Sequence, residues 1–388
     1  MNWADFLIPA QCNAGKYGSL GDVIVVYKGE PEFKIPSSAK VAIIGVPEDR
    51  FSDGAGEIKS PGIIRKHLYA LSAGSQGTIL DMGNLRTGKT LADTYYGLRD
   101  VLTELYRQNV ITLLLGGTID VFYGNYLAME EQTATLTFVA PQLRFPSHSA
   151  ETHPLNTLIF SQVSGSKFQV SSSNLKPPHI CNIGYQSYYV SQQELDYFSD
   201  RHFEAYRLGE VREGNLHGSE PVIRDTDLLA VSMDAVKYSD APAASNASPN
   251  GFTGEEICQA TYFAGLSHRC RSLGIFDMIP QHDAGDITAK LAAQMAWYFM
   301  EGVKKRNSDN PEDNVHNFKK YLIYFDQLHH NLCFYKNLQT ERWWMEVPSA
   351  SDGREGVFIS CTQEDYVNAA EQEIPDRWWK TYQRINSE

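Results

Sequence analysis

The sequence predicts an α/β domain with a mainly parallel sheet, followed by an aromatic-rich C-terminal extension. From about residue 40, short apolar runs recur without polar alternation, as is typical of strands buried on both faces of a parallel sheet. Stretches with helical spacing of apolar residues separate these runs, which is the element order of layered α/β proteins. The extension is predicted because residues 313–388 contain thirteen aromatic side chains, a density that requires burial.

The apolar runs and helical patterns place the elements in chain order. Strands are predicted at 41–45, 79–82, 111–115, 135–139, 179–183, 228–233 and 275–279. Helices are predicted at 61–72, 91–108, 255–272 and 286–304. We expect an N-terminal segment at 1–37, the α/β domain at 38–306 and the extension at 313–388, because a polar segment at 307–314 breaks the pattern. Residues 145–175 are expected to form a long surface connection.

Composition excludes several classes of protein. The chain has 34 Lys and Arg against 47 Asp and Glu, a net charge of −13, and no basic run, which argues against nucleic-acid or anionic-membrane binding. No apolar stretch reaches the roughly 18–20 residues that span a bilayer and no signal-peptide pattern opens the chain, so we expect a cytoplasmic protein without membrane insertion. The six scattered cysteines predict reduced, mostly buried thiols.

A series of short motifs runs through the α/β part of the chain. In order, they are Gly45-Val46-Pro47-Glu48-Asp49, Ser60-Pro61-Gly62-Ile63-Ile64-Arg65, Leu115-Gly116-Gly117-Thr118-Ile119-Asp120, Ser232-Met233-Asp234-Ala235-Val236, Asn250-Gly251-Phe252-Thr253 and Asp277-Met278-Ile279-Pro280. In this order and at these intervals they resemble the motifs of the ureohydrolase (arginase, agmatinase, formimidoylglutamase) family over about residues 38–305. The resemblance implies a three-layer α/β/α sandwich and assembly into trimers or hexamers.

The resemblance also implies hydrolysis of a guanidino or formimino C–N bond by a hydroxide that bridges two manganese ions. Such a pair needs several anionic oxygen ligands and imidazoles, because the two cations otherwise repel each other. Ile119 stands where the family has its first histidine ligand. Val139 and Pro141 replace an aspartate and a histidine of the second motif, and Val236 replaces an aspartate of the third. The chain is therefore a degenerate member by this resemblance, with Asp234 as its one retained ligand.

Three carboxylates, Asp234, Asp277 and Asp120, form the predicted residual pocket. Asp234 is either a remaining ligand or a strand-end carboxylate that caps a neighbouring backbone N–H, and we favour the cap. Asp277 replaces a family glutamate that pairs with the cation of the substrate; the alternative is a carboxylate that is solvated or paired with Lys or Arg. Asp120 lies one residue beyond the lost histidine. We assign no catalytic residue, cofactor-binding residue or metal ligand.

Three histidines lie in predicted loops near strand ends, where functional groups collect in α/β sheets. They are His148, His153 and His282. Their spacing lacks the i, i+4 or His-x-Asp pattern of a replacement metal site, so they predict no relocated centre. We expect no cofactor, or manganese if the chain is a metal-dependent hydrolase.

The stretch from Gly83 to Thr90 fits the phosphate-loop pattern Gly-x-x-x-x-Gly-Lys-[Ser/Thr] between a predicted strand and a predicted helix. In a phosphate loop Lys89 would reach the β- and γ-phosphates and Thr90 would hold magnesium. The ureohydrolase pattern already accounts for a glycine-containing turn here. We therefore expect a structural turn and keep nucleotide binding as an alternative.

The function predicted from the sequence is that of a pseudoenzyme of the arginase/formimidoylglutamase family, free of metal and acting as a binding or assembly component. The first alternative is a metal-dependent hydrolase of linear amidines, and the second is a nucleotide-binding protein. We expect a homo-oligomer, a protein partner, or both. The extension is expected to brace the core, to present a recognition surface rich in Trp, Tyr and Arg, or to do both.

Overall fold

The computed structural model describes most of the chain. The described residues are 3–11, 15–30, 33–50, 56–74, 77–129, 133–143, 176–213, 216, 218–307, 309–312, 315–326, 329–349 and 356–386. The strands are β1 (Leu7–Ile8), β2 (Val25–Val26), β3 (Ala39–Gly45), β4 (Thr78–Leu85), β5 (Ile111–Leu115), β6 (Thr135–Val139), β7 (His179–Tyr185), β8 (Glu204–Arg207), β9 (Leu228–Ser232), β10 (Ser272–Phe276), β11 (Phe318–Phe325), β12 (His330–Asn337), β13 (Trp343–Val347) and β14 (Val357–Cys361). The α-helices are Leu20–Val23, Ser60–Leu68, Leu91–Arg107, Phe122–Leu127, Gln192–Asp200, Leu208–Glu213, Glu220–Arg224, Gly254–Leu266, Ile287–Lys304, Gln363–Ala370 and Asp376–Asn386. Among these helices, none has the length and apolar character needed to cross a membrane.

A ten-stranded sheet forms the middle layer, in the order β1-β4-β3-β5-β10-β9-β6-β7-β8, with β2 also paired to β4. The β1–β4 pair is antiparallel and the other pairs are parallel. One apolar cluster packs the sheet against the helices Ser60–Leu68, Gly254–Leu266 and Ile287–Lys304. A second cluster packs the other face against Leu91–Arg107 and Phe122–Leu127. The predicted three-layer α/β/α sandwich is confirmed.

Local sequence signals start several of the helices. Thr90 begins the Leu91–Arg107 helix, since its hydroxyl accepts from the N–H of Asp93 while the Asp93 carboxylate accepts from the N–H of Thr90. The same reciprocal capping starts the helices Gln192–Asp200, Gly254–Leu266 and Gln363–Ala370. Such caps satisfy N–H groups that the first helical turn leaves without partners.

Some of the predicted elements are displaced or incomplete. The strand predicted at 275–279 is wrong: β10 is Ser272–Phe276, because Asp277 adopts a left-handed φ of 63° that cannot continue a strand. The N-terminal segment contributes β1 and β2, which pair with β4 at one edge of the sheet. The connection predicted at 145–175 lies outside the described residues. The cysteines that are described are all free, and Cys333 is the least buried of them.

The C-terminal extension is a packed unit with its own antiparallel sheet, in the order β11-β12-β13-β14. An apolar cluster that includes Phe334, Trp343 and Trp378 joins this sheet to its two helices. Arg224 of the core lies 4.3 Å from the ring centroid of Trp344. The Ser360 hydroxyl donates to the Asp225 carboxylate at 2.6 Å, so polar and aromatic contacts both fasten the extension to the core.

Candidate functional site at the carboxyl edge of the sheet

The predicted pocket residues lie at one edge of the sheet, because parallel strands place their carboxyl ends together. Asp120 follows β5, Asp234 follows β9 and Asp277 follows β10. The backbone of Asp277 ties the neighbouring loops: its N–H donates to the carbonyl of Gly117 at 3.0 Å, and its own carbonyl accepts from the N–H of Ser245 at 3.0 Å. The structure therefore brings the three predicted carboxylates to a common edge.

The Asp277 side chain supports the loop that follows β5. It is 7% exposed, and its Oδ1 accepts a hydrogen bond from the backbone N–H of Ile119 at 2.9 Å. Ile119 is the residue at the first histidine position of the family motif. The carboxylate expected to meet a substrate cation thus holds the loop in which the resemblance places the first histidine ligand.

Asp234 has the geometry of a backbone cap. Its Oδ1 accepts from the backbone N–H of Asn246 at 2.7 Å, and its Oδ2 accepts from the Asn246 side-chain amide at 3.2 Å. Its own N–H donates to the Ser232 hydroxyl at 3.2 Å. The carboxylate holds the loop after β9 in place, which is the arrangement we favoured over a metal ligand.

Asp120 lies in a buried setting. Its side chain is fully buried beside the Leu91–Arg107 helix, where Tyr95 is also buried. Burial raises the pKa of Tyr95, and the charges of Asp120 and Glu48 raise it further. The phenol therefore stays protonated and can act as a hydrogen-bond donor in this region.

The positions that the resemblance assigns to metal ligands hold packed side chains. Ile119 is 1% exposed and belongs to the apolar cluster on one face of the sheet. Val139 and Val236 are fully buried in the cluster on the opposite face. Pro141 is buried and uses its carbonyl to accept from the N–H of Gln186 at 2.9 Å. These side chains offer no atom that could coordinate a cation.

Further carboxylates follow β3 at this edge, and our sequence analysis did not select them as site residues. Glu48 accepts from the Arg50 guanidinium, with an Nε–Oε1 distance of 2.7 Å. Glu57 is fully buried and accepts from the Ser245 hydroxyl at 3.2 Å. Burial raises the pKa of Asp49, and the charges of Glu57 and Glu48 raise it further. Glu48 and Asp49 within the first motif were the available sequence signal for this acidic group.

The described residues at this edge do not fit a pair of manganese ions. Across the described part of the chain, one group of three His, Cys or carboxylate side chains has ligand atoms within 4.8 Å of one another: His179, Cys181 and Glu204. These residues lie on β7 and β8, at the amino edge. Glu204 is already bound there by Arg377 at 2.9 Å and by His179 at 3.0 Å. Of the three loop histidines, His282 lies exposed on the turn Pro280–His282, and His148 and His153 lie outside the described residues.

The stretch from Gly83 to Thr90 is not shaped as a phosphate loop. The strand predicted to end at residue 82 runs to Leu85, which pairs with Leu7 of β1, so the first residues of the motif are sheet rather than turn. Backbone N–H groups that would face a phosphate are already bonded: that of Gly83 to Asp81 at 2.8 Å and that of Gly88 to Thr94 at 2.9 Å. The Thr90 hydroxyl caps the following helix.

The layered sheet and the motif-bearing loops at its carboxyl edge define a ureohydrolase fold. A model of the arginase family matches residues 39–301, and the chain belongs to that family. The formimidoylglutamase of Bacillus subtilis is 23% identical over 307 residues, which cover 74% of this chain and 92% of that protein. That of Staphylococcus carnosus is 23% identical over 279 residues, which cover 68% and 86%.

Solved structures resemble the fold. Trypanosoma cruzi formiminoglutamase with Mn2+2 superposes with a TM-score of 0.63 at 19% identity and covers 74% of this chain and 99% of its own. The formimidoylglutamase of Bacillus subtilis superposes with a TM-score of 0.64 at 20% identity, covering 78% and 97%. At these identities the structural likeness supports the fold.

Proposed function

We propose that this arginase-family protein does not assemble the family's two-manganese centre and acts as a binding or assembly component. The observation that carries the proposal is the burial of Ile119, Val139 and Val236 at the positions that the resemblance assigns to ligands. Aliphatic side chains have no lone pair, and their burial leaves no route for water to act as a substitute ligand. We derive no reaction step through a metal.

The remaining carboxylates support the same proposal. Asp234 and Asp277 accept hydrogen bonds from backbone N–H groups at 2.7 and 2.9 Å, which are the short, charge-assisted bonds that hold loops in place. A carboxylate that leaves such bonds to bind a cation would leave the N–H group of buried Ile119 or that of Asn246 without this partner. The carboxylates that could otherwise bind a metal therefore stabilise the loops at this edge of the sheet.

A second candidate function is metal-dependent hydrolysis of linear amidines, as in a formimidoylglutamase. When the geometry of the site is set aside, the comparisons with known proteins favour this candidate. Both relatives named above are formimidoylglutamases, and one solved neighbour contains Mn2+2. Its support within the chain is the acidic group of Glu48, Asp49 and Glu57, whose charges raise the pKa of Asp49 and would attract a cationic substrate.

Activity measurements separate the two candidates. The purified chain, incubated with manganese, is assayed for release of formamide from formiminoglutamate and of urea from arginine or agmatine, beside the Bacillus subtilis enzyme prepared in the same way. Our proposal predicts release at the level of the protein-free blank. Formamide or urea release that Asp234→Asn abolishes would establish the hydrolase instead.

The proposal extends to assembly and location. A binding component of this family is expected to associate with copies of itself, with a protein partner, or with both, and light scattering of the full chain measures the first of these. The expected cytoplasmic location remains a prediction from composition, and fractionation of the source cells tests it.

A further inference from the structure

A cavity lies at the amino edge of the sheet, opposite to the edge that bears the family motifs. Its volume is about 510 Å³, within the range of small-molecule sites. The first residues of β6 and β7 form one wall, β14 and the Asp376–Asn386 helix form another, and Arg201 and Arg269 complete it. The core thus forms one part of the cavity wall and the C-terminal extension forms the part that faces it.

The cavity is positively charged in a chain whose net charge is −13. Arg201, Arg269 and Arg384 line it, and no Asp or Glu is among its described lining residues. Arg269 is paired with Asp227 at 3.1 Å, and the Arg201 guanidinium lies 3.6 Å from the ring centroid of Tyr197.

Arg384 lines the cavity without a hydrogen bond to any described residue. It also forms no ion pair with any of them. Burial lowers the pKa of its guanidinium, although the charge of Glu204 opposes that effect. Glu204 is itself bound by Arg377 and His179. Arg384 therefore shares the charge of Glu204 with Arg377 and His179, and a bound anion would offset the cost of burying its guanidinium.

His179 adds a second unsatisfied group to the same cavity. Its side chain lines the cavity and is 6% exposed, and its Nδ1 has no hydrogen-bond partner among the described residues. Burial and the charge of Arg384 lower its pKa to about 4, so the ring is neutral near pH 7. Its Nε2 lies 3.0 Å from Oε1 of Glu204, and a carboxylate can only accept there. The Nε2 atom therefore carries the proton, and the lone pair of Nδ1 is buried without a donor among the described residues.

The remaining walls are apolar. Phe203, Phe358 and Ile385 are among the side chains that line the cavity. Aromatic and aliphatic walls favour a ligand with an apolar body over a small hydrated ion.

We propose that this cavity binds a small organic anion whose carboxylate pairs with Arg384 and whose apolar body lies against Phe203, Phe358 and Ile385. The site is independent of the proposed function, because it shares no residue with the carboxyl edge of the sheet. A ligand held there contacts both the core and the extension and fastens one to the other.

Calorimetric titration of the full chain tests the ligand class with three probes. 4-Hydroxybenzoate supplies the carboxylate and the apolar body; 4-hydroxybenzamide keeps the apolar body without the charge; inorganic phosphate supplies charge alone. We expect saturable binding of 4-hydroxybenzoate, with the amide and phosphate each at least about tenfold weaker, as expected for the loss of a charge-assisted contact or of apolar burial. Absence of saturable binding by 4-hydroxybenzoate, or equal binding of either other probe, would overturn the proposal.

Variants locate the binding site. Arg384→Gln should weaken 4-hydroxybenzoate binding at least about tenfold. Lys380→Gln makes the same charge change on the same helix, at a residue paired with Asp376 at 2.8 Å, and should leave binding within about twofold. Arg201→Gln serves if Arg384→Gln does not fold, and it should also weaken binding. If the arginine variant that folds binds 4-hydroxybenzoate with wild-type affinity, the ligand does not bind in this cavity and the proposal is wrong.

Discussion

Arg377 of the C-terminal helix donates through Nε to Oε2 of Glu204 on β8 at 2.9 Å, and the two side chains are 13% and 5% exposed. Arg377 also donates to Asp225 of the core at 3.0 Å. Burial disfavours the charged form of Glu204, but Arg377 and His179 outweigh it and hold the pKa of that carboxyl well below its usual range. One guanidinium of the extension therefore satisfies two carboxylates of the core.

Replacing this guanidinium should destabilise the protein strongly. Arg377→Gln leaves the Glu204 and Asp225 carboxylates without their cation, and breaking a buried pair in this way costs about 3–5 kcal/mol of unfolding free energy. Urea unfolding at pH 7 measures the loss. Lys380→Gln on the same helix is the control and should change stability by about 0.5 kcal/mol or less. A loss below about 1 kcal/mol in Arg377→Gln would refute the bridging role.

Removing the extension should expose the surface that it covers. A chain ending at Asn310 loses the stacking of Trp344 on Arg224 and the hydrogen bonds from Ser360 to Asp225. We expect a lower melting temperature, a changed oligomeric state, or both, measured by calorimetry and light scattering. Deleting residues 387–388 alone is the control. An unchanged melting point and mass in the chain that ends at Asn310 would make the extension dispensable.

Stability should fall on mild acidification because of His179. Its pKa in the folded chain is about 4, below the usual value near 6.5, so between these pH values the unfolded chain binds a proton that the folded chain excludes. The free energy of unfolding should decrease by about 1–2 kcal/mol as the pH falls from 6.5 to 5. His179→Gln should flatten this dependence, whereas His282→Gln at an exposed turn should not. Parallel pH profiles of unfolding free energy for wild type and His179→Gln would contradict the assignment of this pH dependence to His179.

The phosphate-loop motif should bind no nucleotide. The N–H groups of Gly83 and Gly88 are already bonded to side chains of the chain itself, so no open nest of donors faces a phosphate. Calorimetry with ATP or GTP and magnesium should show no saturable heat, and Lys89→Ala should behave as wild type. Magnesium-dependent nucleotide binding that Lys89→Ala abolishes would contradict this prediction and support the nucleotide-binding alternative.

The sequence predicts the interior of the sheet best. Strands β5 and β6 lie at the predicted residues because both are short runs of β-branched and apolar residues that are buried on both faces of the sheet. The strand β8 was not predicted, since it is only four residues long and carries a charged residue at each end, Glu204 and Arg207. Its partner Arg377 lies 173 residues away in the chain, and no local pattern reports such a pairing.

The candidate site could also be predicted from the sequence only in part. The absence of ligand side chains at Ile119, Val139 and Val236 can be read from the motifs, and the structure adds that all three are packed in the core. The role of Asp277 could not be predicted, because it depends on a left-handed backbone that turns the carboxylate toward the N–H of Ile119. Motif position identifies the residue, and backbone geometry decides what its side chain binds.

The most direct test of the account is the manganese content of the full chain after incubation with excess manganese and removal of free metal. The apolar packing at Ile119, Val139 and Val236 predicts less than about 0.1 manganese ion per chain by elemental analysis, beside Trypanosoma cruzi formiminoglutamase as a loaded control. About two ions per chain, reduced in an Asp234→Asn variant, would contradict the account and establish a metal centre at the carboxyl edge.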